Sequence, residues 1–151
     1  MSQTFFFDTS ALIKLYHQEV GTEHVERIFG QTENPIVISE LAIVEVYSSL
    51  ARKVRTQEIS LHAQEEASEN FAKDCTQRFV IEPLGSAVLQ KAKELLQRYG
   101  NTKALRSLDA LQLAAGLVAR AREELIFVCV DSRLLDVAAA EGLQILNPET
   151  L

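Results

Sequence analysis

Short apolar segments of strand length alternate with longer segments of helical periodicity along the whole chain. Five of them predict strands, namely Thr4–Phe7, Ile36–Ile38, Phe79–Ile81, Leu125–Val130 and Leu143–Leu146. No two consecutive strands are joined by a tight hairpin turn, and Ile36–Ile38 and Val128–Val130 are apolar without alternation, as in strands that are covered on both faces. The pattern therefore predicts a three-layer α/β fold with a five-stranded, mainly parallel sheet.

The segments between the strands predict helices, most of which begin at a hydroxyl residue suited to an N-cap. Helices are expected at Ser10–His17, Thr22–Phe29, 39–55, 60–78, 86–100, from Ser107 onward, and at Ser132–Glu141. Thr9 or Ser10 is the expected cap of the first helix. Gly100 and Gly142 follow helical patterns, where glycine commonly ends a helix.

Composition favours a single domain spanning residues 1–151. The chain is 47% hydrophobic and 24% charged, and it has no linker-like or low-complexity tract. Its apolar runs are too short to span a bilayer, and the start of the chain does not resemble a signal peptide. Cys75 and Cys129 are far apart and lack metal-site spacing, so we expect free thiols in a reducing cytoplasm.

Four acidic residues lie at element ends or in early helical turns, in apolar surroundings. Asp8, Glu45, Asp109 and Asp131 each follow an apolar residue, and none has an adjacent Lys or Arg. Burying a carboxylate among apolar side chains is costly unless a cation or a metal offsets its desolvation. Ligands in parallel sheets bind beyond the carboxyl ends of strands, where Asp8 and Asp131 are expected. The pattern indicates a shared cation site.

Each acid also has an ordinary structural explanation. Asp8 and Asp109 lie where a helix dipole favours an acid, and Glu45 could be a solvated helix residue. Asp131, after a buried strand, is the hardest to explain in that way. Their joint arrangement favours the cation site over four separate explanations.

Four segments together resemble the PIN domain family, and most closely its VapC-type toxins. The segments are 7–12 (FDTSAL), 39–46 (SELAIVEV), 108–114 (LDALQLA) and 130–134 (VDSRL), followed by the tail 139–148. The resemblance implies a metal-dependent ribonuclease whose acids hold Mg²⁺ or Mn²⁺. Asp8, Glu45, Asp109 and Asp131 match the acidic positions of the family, and Ser10 matches a small hydroxyl residue near the site. Cys129 stands where a Thr is common.

The chemistry of these residues agrees with that expectation. Mg²⁺ prefers oxygen ligands, and carboxylate-held ions can activate water and neutralise a phosphate. The three histidines lack zinc-site spacing, and Ser10 with a distant His does not form a credible catalytic triad. A net charge of −6 argues mildly against broad nucleic-acid binding, although bound divalent ions would reverse the local sign.

Three functions compete at this point. The first is a Mg²⁺- or Mn²⁺-dependent endoribonuclease, the toxin of a type II toxin–antitoxin pair whose antitoxin is a separate chain. The second is a catalytically silent PIN-like binding or assembly module. The third is a nucleotide-binding or phosphotransfer domain, but the chain lacks the Gly-rich phosphate motifs, and position 10 is Ser where a phosphatase would place a second Asp.

Two kinds of partner surface are expected. We expect RNA as the substrate and a homodimer as the assembly, in which Leu12, Leu15 and Leu50 would either contact a second copy or pack in the core. Two small basic groups, 52–55 and 103–106, would contact RNA phosphates or simply be solvated.

Overall fold

Five parallel strands form one sheet in the order β3-β2-β1-β4-β5. The computed structural model describes residues 2–150. The strands are β1 (Thr4–Phe7), β2 (Ile36–Ser39), β3 (Phe79–Glu82), β4 (Leu125–Val128) and β5 (Gln144–Leu146). The predicted five-stranded parallel sheet is confirmed, and β1 lies at its centre between β2 and β4.

Seven helices cover the two faces of the sheet. They are α1 (Thr9–Leu12), α2 (Thr22–Gly30), α3 (Glu40–Arg55), α4 (Leu61–Gln77), α5 (Ser86–Tyr99), α6 (Ser107–Arg120) and α7 (Ser132–Ala140), with a 3₁₀ turn at Ile13–Leu15 after α1. In β1 the side chains alternate between faces. Phe6 packs in the core with α5, α6 and α7, whereas Phe5 and Phe7 pack in the core with α1 to α4. The predicted three-layer architecture is therefore confirmed.

The strand order reverses between β1 and β4, which is the crevice where ligands bind in open α/β sheets. Phe7 pairs with Val128 at the ends of these two strands. Asp8 follows directly and donates its backbone N–H to the carbonyl of Val128 at 3.2 Å. A ligand-binding site is therefore expected at the carboxyl ends of β1 and β4.

Several predicted boundaries were wrong in detail. Asp8, rather than Thr9 or Ser10, caps the first helix, because its carboxylate accepts the Ala11 N–H. That helix is also shorter than Ser10–His17, because it tightens into the 3₁₀ turn. β4 ends at Val128 instead of Val130, since β1 offers no partner residue beyond Phe7.

The hydroxyl caps predicted at the starts of α5 and α6 were also wrong. Gly85 and Arg106 occupy the N-cap positions of α5 and α6, and neither side chain makes a capping hydrogen bond. Ser86 and Ser107 are the first helical residues instead. Asp109 is consequently the third residue of α6, still within its first turn.

The core, and not a contact with a second copy, accounts for Leu12, Leu15 and Leu50. Leu12 and Leu50 are fully buried, and Leu15 is partly buried against the same cluster. No helix among residues 2–150 is long and apolar enough to cross a membrane.

Buried Lys14 ties the end of the chain to the segment before α2. Its ammonium donates to Glu19 at 2.8 Å, to Glu149 at 2.7 Å and to the carbonyl of Val20 at 2.6 Å. Gly21, next in the chain, has φ +90°, and a Cβ there would lie 2.9 Å from the carbonyl oxygen of Pro148. The left-handed backbone and the close approach both require glycine at this position.

Candidate active site at the carboxyl edge of the sheet

Asp8 is a buried carboxylate whose partners within the chain are neutral. It is 6% exposed, and its Oδ1 accepts hydrogen bonds from Ser10 Oγ at 2.6 Å and from the Ala11 N–H at 3.1 Å. Burial raises the pKa of Asp8 to about 6, although the bonds from Ser10, Cys129 and Ala11 lower it, and the charge of Asp109 raises it slightly further. The carboxylate is therefore held in place without a compensating cation.

Ser10 joins the ends of the two central strands. Besides donating to Asp8, its hydroxyl accepts the Val130 N–H at 3.2 Å. The chain after β4 is thus bonded to the helix that follows β1. Ser10 contacts the site directly, as expected for a supporting hydroxyl.

Asp131 caps α7 on the other side of the crevice. Its Oδ1 accepts the Arg133 N–H at 2.9 Å and the Leu134 N–H at 3.3 Å. The Asp131 N–H in turn donates to the buried thiol sulfur of Cys129 at 3.3 Å. Cys129, which stands where a Thr is common, thus contacts the Asp131 backbone, and burial raises the pKa of its thiol.

Asp109 provides the electrostatic link among the acids. Burial raises the pKa of Asp109, and the charges of Asp131 and then Glu45 raise it further, while Arg106 lowers it. The Arg106 guanidinium is 3.9 Å from the Asp109 carboxylate but is itself 84% exposed, so solvent weakens the pair. Asp109 lines the same cavity as Asp131, which places it beside the end of β4.

Glu45 is held by a hydrogen-bond network that the sequence analysis did not anticipate. Its Oε1 accepts from Thr9 Oγ1 at 2.7 Å and from Gln112 Nε2 at 2.7 Å, and Gln112 Nε2 also reaches Thr9 Oγ1 at 3.0 Å. Gln112 is only 3% exposed, and its Oε1 has no hydrogen-bond partner among the described residues.

A signal for Gln112 was present in the sequence. It lies three residues after Asp109, on the same side of α6, and it is the only polar residue in the segment 110–117. Thr9 was considered only as a helix cap. A polar side chain inside an apolar helical run requires a partner, and here that partner is another site residue.

Two cavities adjoin at the acids, because Leu108 and Val130 line the first and the next residues, Asp109 and Asp131, line the second. The first, of about 570 Å³, is lined by Thr9, Ser10 and Glu45 among others. The second, of about 310 Å³, is lined by Asp109 and Asp131. Asp8 is buried and lines neither cavity. The four acids therefore share one edge of the sheet without sharing a single pocket.

The donor chemistry suits a hard divalent cation, but the side chains do not form a ready-made ligand set. Within residues 2–150, no three His, Cys, Asp or Glu side chains stand in a metal-binding arrangement. Carboxylate oxygens and supporting hydroxyls are nevertheless the ligands that Mg²⁺ and Mn²⁺ prefer. Exposed Arg106 is the one cation paired with these acids in the described residues, so their negative charge is largely uncompensated. The residues fit such an ion in charge and in ligand type.

The PIN domain family matches residues 5–140 of the chain. This protein belongs to the PIN domain family. The match spans almost every element described above, from β1 to the end of α7, and confirms the resemblance seen in the four acidic segments.

Solved PIN-domain toxins share the fold at low sequence identity. VapBC2 from Rickettsia felis, bound to promoter DNA, is 13% identical with a TM-score of 0.65, covering 96% of this chain and 98% of that chain. VapC20 from Mycobacterium tuberculosis, described as a sarcin-ricin loop cleaving toxin, is 18% identical with a TM-score of 0.66, covering 92% and 95%.

A third similar structure is FitAcB from Neisseria gonorrhoeae, which is 15% identical with a TM-score of 0.63 and is covered completely in both chains. No curated protein matches the sequence. At these identities the structural neighbours establish the fold alone.

Proposed function

We propose that this PIN domain is a Mg²⁺- or Mn²⁺-dependent endoribonuclease that hydrolyses RNA phosphodiester bonds. The observation that carries the proposal is the cluster of acids at the β1–β4 crevice. Asp8 is buried with only neutral partners, and Asp109 is influenced by the charges of Asp131 and Glu45. A protein retains such uncompensated charge chiefly where function requires it.

Asp8, Glu45, Asp109 and Asp131 would hold the divalent ion, with Ser10 orienting Asp8. Bound ions of this kind supply an activated water, neutralise the phosphate and stabilise the leaving oxygen. Thr9 and Gln112 keep the Glu45 carboxylate directed by two hydrogen bonds. Buried Cys129 helps to keep the floor of the crevice free of water while contacting Asp8 and Asp131.

The biological role that we propose is the toxin of a type II toxin–antitoxin pair. The support is the likeness to VapC20, which is described as a toxin, and to a solved toxin–antitoxin complex from Klebsiella pneumoniae that is 19% identical with a TM-score of 0.62. The antitoxin of this protein would then be a separate chain, and the toxin would act as a homodimer in the cytoplasm. The two free cysteines are compatible with a reducing compartment.

The decisive experiment is cleavage of end-labelled RNA by the purified protein. With Mg²⁺ or Mn²⁺ the wild type should cut internally and leave a 5′-phosphate, whereas EDTA or Asp8→Asn should abolish cutting. Glu69→Gln is the control, because Glu69 is an exposed acid on α4 that lines neither cavity. A 2′-deoxy substitution at the scissile position should leave cutting intact, since water is the proposed nucleophile.

Two results would contradict the proposal. A 2′,3′-cyclic phosphate product would show that the RNA hydroxyl is the nucleophile. If Mn²⁺ titrated by calorimetry bound neither the wild type nor Asp8→Asn, and RNA stayed intact, the catalytically silent PIN-like module would be the better description.

A further inference from the structure

The two cavities at the acids are each lined by basic side chains, in a chain whose net charge is −6. The first cavity contains Arg52, Lys53 and Arg55 from the end of α3, and also Lys14 with its acidic partners Glu19 and Glu149. The second contains Lys103, Arg106 and Arg133, from the loop before α6 and the start of α7. The acids therefore lie between two basic groups rather than beside one.

One face of α3 leads from the acids to the first basic group. Glu45, Ser49 and Arg52 are spaced by four and three residues and line the same cavity, with Ser48 beside them. Seven residues of helix span about 10 Å. Hydroxyls followed by guanidinium groups along that distance are donors of the kind that contact a nucleic-acid backbone.

The second basic group surrounds Asp109 and Asp131. Arg106 is the N-cap of α6, and Arg133 lies in the first turn of α7, where both side chains are exposed. Lys103 lies in the connecting loop, next to Ala104, which has a φ of +51° and lines the same cavity. The loop and the helix start thus hold three cations beside these two acids.

Four of these cations are available to a ligand. Within residues 2–150, Arg52, Arg55, Lys103 and Arg133 form no ion pair, although Lys53 is buried and lies 3.9 Å from Glu58. Other exposed cations on the described surface, such as Arg27, Lys73 and Lys93, are also unpaired, but they line neither cavity. What distinguishes the four is therefore their position beside the acids.

We propose that the two cavities are two arms of one track for the RNA backbone, with the scissile phosphate at the acids between them. Arg52 and Arg55 hold the phosphates on one side, and Lys103 and Arg133 hold those on the other. This inference rests on the proposed function for the choice of RNA as the ligand. Neither cavity is lined by an aromatic side chain, so the contacts position the backbone and do not stack bases.

The test is the binding of a fluorescein-labelled single-stranded RNA to the Asp8→Asn protein in Mg²⁺, followed by anisotropy over a range of salt concentrations. Three double variants are made in that background: Arg52→Ala with Arg55→Ala, Lys103→Ala with Arg133→Ala, and the control Lys73→Ala with Lys93→Ala. The control residues are exposed cations on α4 and α5 outside both cavities, and each double variant removes two positive charges.

Each arm variant should weaken RNA binding roughly tenfold and lower the slope of log affinity against log salt by about 0.7 per lost phosphate contact. The control should change neither. In the cleaving protein, with Asp8 intact, either arm variant should raise KM while leaving kcat unchanged, because the lost contacts are equal in the ground and transition states.

Three outcomes would overturn the track. The control variant could weaken RNA binding as much as the arm variants do, or the arm variants could leave RNA binding unchanged. Alternatively, poly-glutamate could bind as tightly as RNA and depend on the same arm residues. The last would mark a site for an acidic protein partner. Arm-dependent RNA binding without cleavage by the wild type would refute the nuclease and leave the track standing. Cleavage by the wild type, together with RNA binding that does not depend on the arm residues, would refute the track and leave the nuclease standing.

Discussion

Replacing Asp8 with Asn should make the metal-free protein more stable while removing its activity. The pKa of Asp8 is raised from 3.8 to about 6 because the carboxylate is buried, so keeping it ionised at neutral pH opposes folding. A pKa difference of this size corresponds to about 3 kcal/mol. Asn retains an oxygen that can accept from Ser10 and Ala11 at the N-cap, as Asp8 does now.

The expected gain is about 1–3 kcal/mol, because the Asn amide N–H₂ mimics a protonated carboxyl imperfectly. For a chain of this length, each kcal/mol moves the melting temperature by roughly 2–4 °C. The gain should depend on pH in a defined direction. A raised folded pKa means that the folded wild type binds the proton more tightly, so its stability falls as pH rises from 3.8 to about 6. Asp8→Asn should match the wild type below that window and exceed it above.

Thermal melts in EDTA at several pH values measure this difference, with Glu69→Gln as a control for loss of one exposed negative charge. Adding Mn²⁺ should stabilise the wild type by mass action and the variant less, because the variant has lost a ligand charge. If Asp8→Asn melted several degrees below the wild type in EDTA at neutral pH, Asp8 would be a structural cap. Its assignment to the ion site would then fail.

Two further substitutions test other parts of the structure. Gly21→Ala should destabilise the protein by about 1–3 kcal/mol in denaturant unfolding, because φ is +90° and the new Cβ would meet Pro148. Gly30→Ala is the control and should be neutral or stabilising, because there is open space around that position. Equal effects at the two glycines would contradict this reasoning. Gln112→Leu should change the free energy of unfolding by less than about 1 kcal/mol, because it also removes an unpaired buried oxygen. It should nevertheless weaken Mn²⁺ binding roughly 10–100-fold, because Glu45 loses the hydrogen bond that positions it. Unchanged Mn²⁺ affinity would show that Gln112 does not position Glu45.

The centre of the sheet was predictable because β1 and β2 are apolar and buried on both faces, which leaves few other interpretations of segments such as Ile36–Ile38. Capping was harder to predict. A hydroxyl before a helix is a good candidate, but Asp8 lies one residue earlier and competes with Thr9 and Ser10 for the same N–H groups. The side-chain oxygen that accepts the capping hydrogen bond depends on where β1 ends. The pairing of β1 with β4 sets that end.

The four acids were predicted from their apolar neighbours and Ser10 from the family resemblance, whereas the roles of Thr9 and Gln112 beside Glu45 were not predicted. Gln112 occupies a buried position of α6 that the helical period assigns to an apolar side chain. Its role depends on Thr9 and Glu45, which lie 103 and 67 residues away in the chain. The division of the acids between two cavities likewise depends on side-chain packing, which no local pattern encodes.

The position of the site explains how such an uncompensated cluster can persist. Asp8 and Asp131 are 123 residues apart, yet their elements end at the same edge because β1 and β4 are neighbours, and Ser10 bonds one end to the other through the Val130 N–H. The unfavourable burial of Asp8 therefore falls where the central strands of the sheet enforce the geometry. A protein gives up stability at a functional site in this way only if the surrounding fold constrains it, and here that constraint is the pairing of the two central strands.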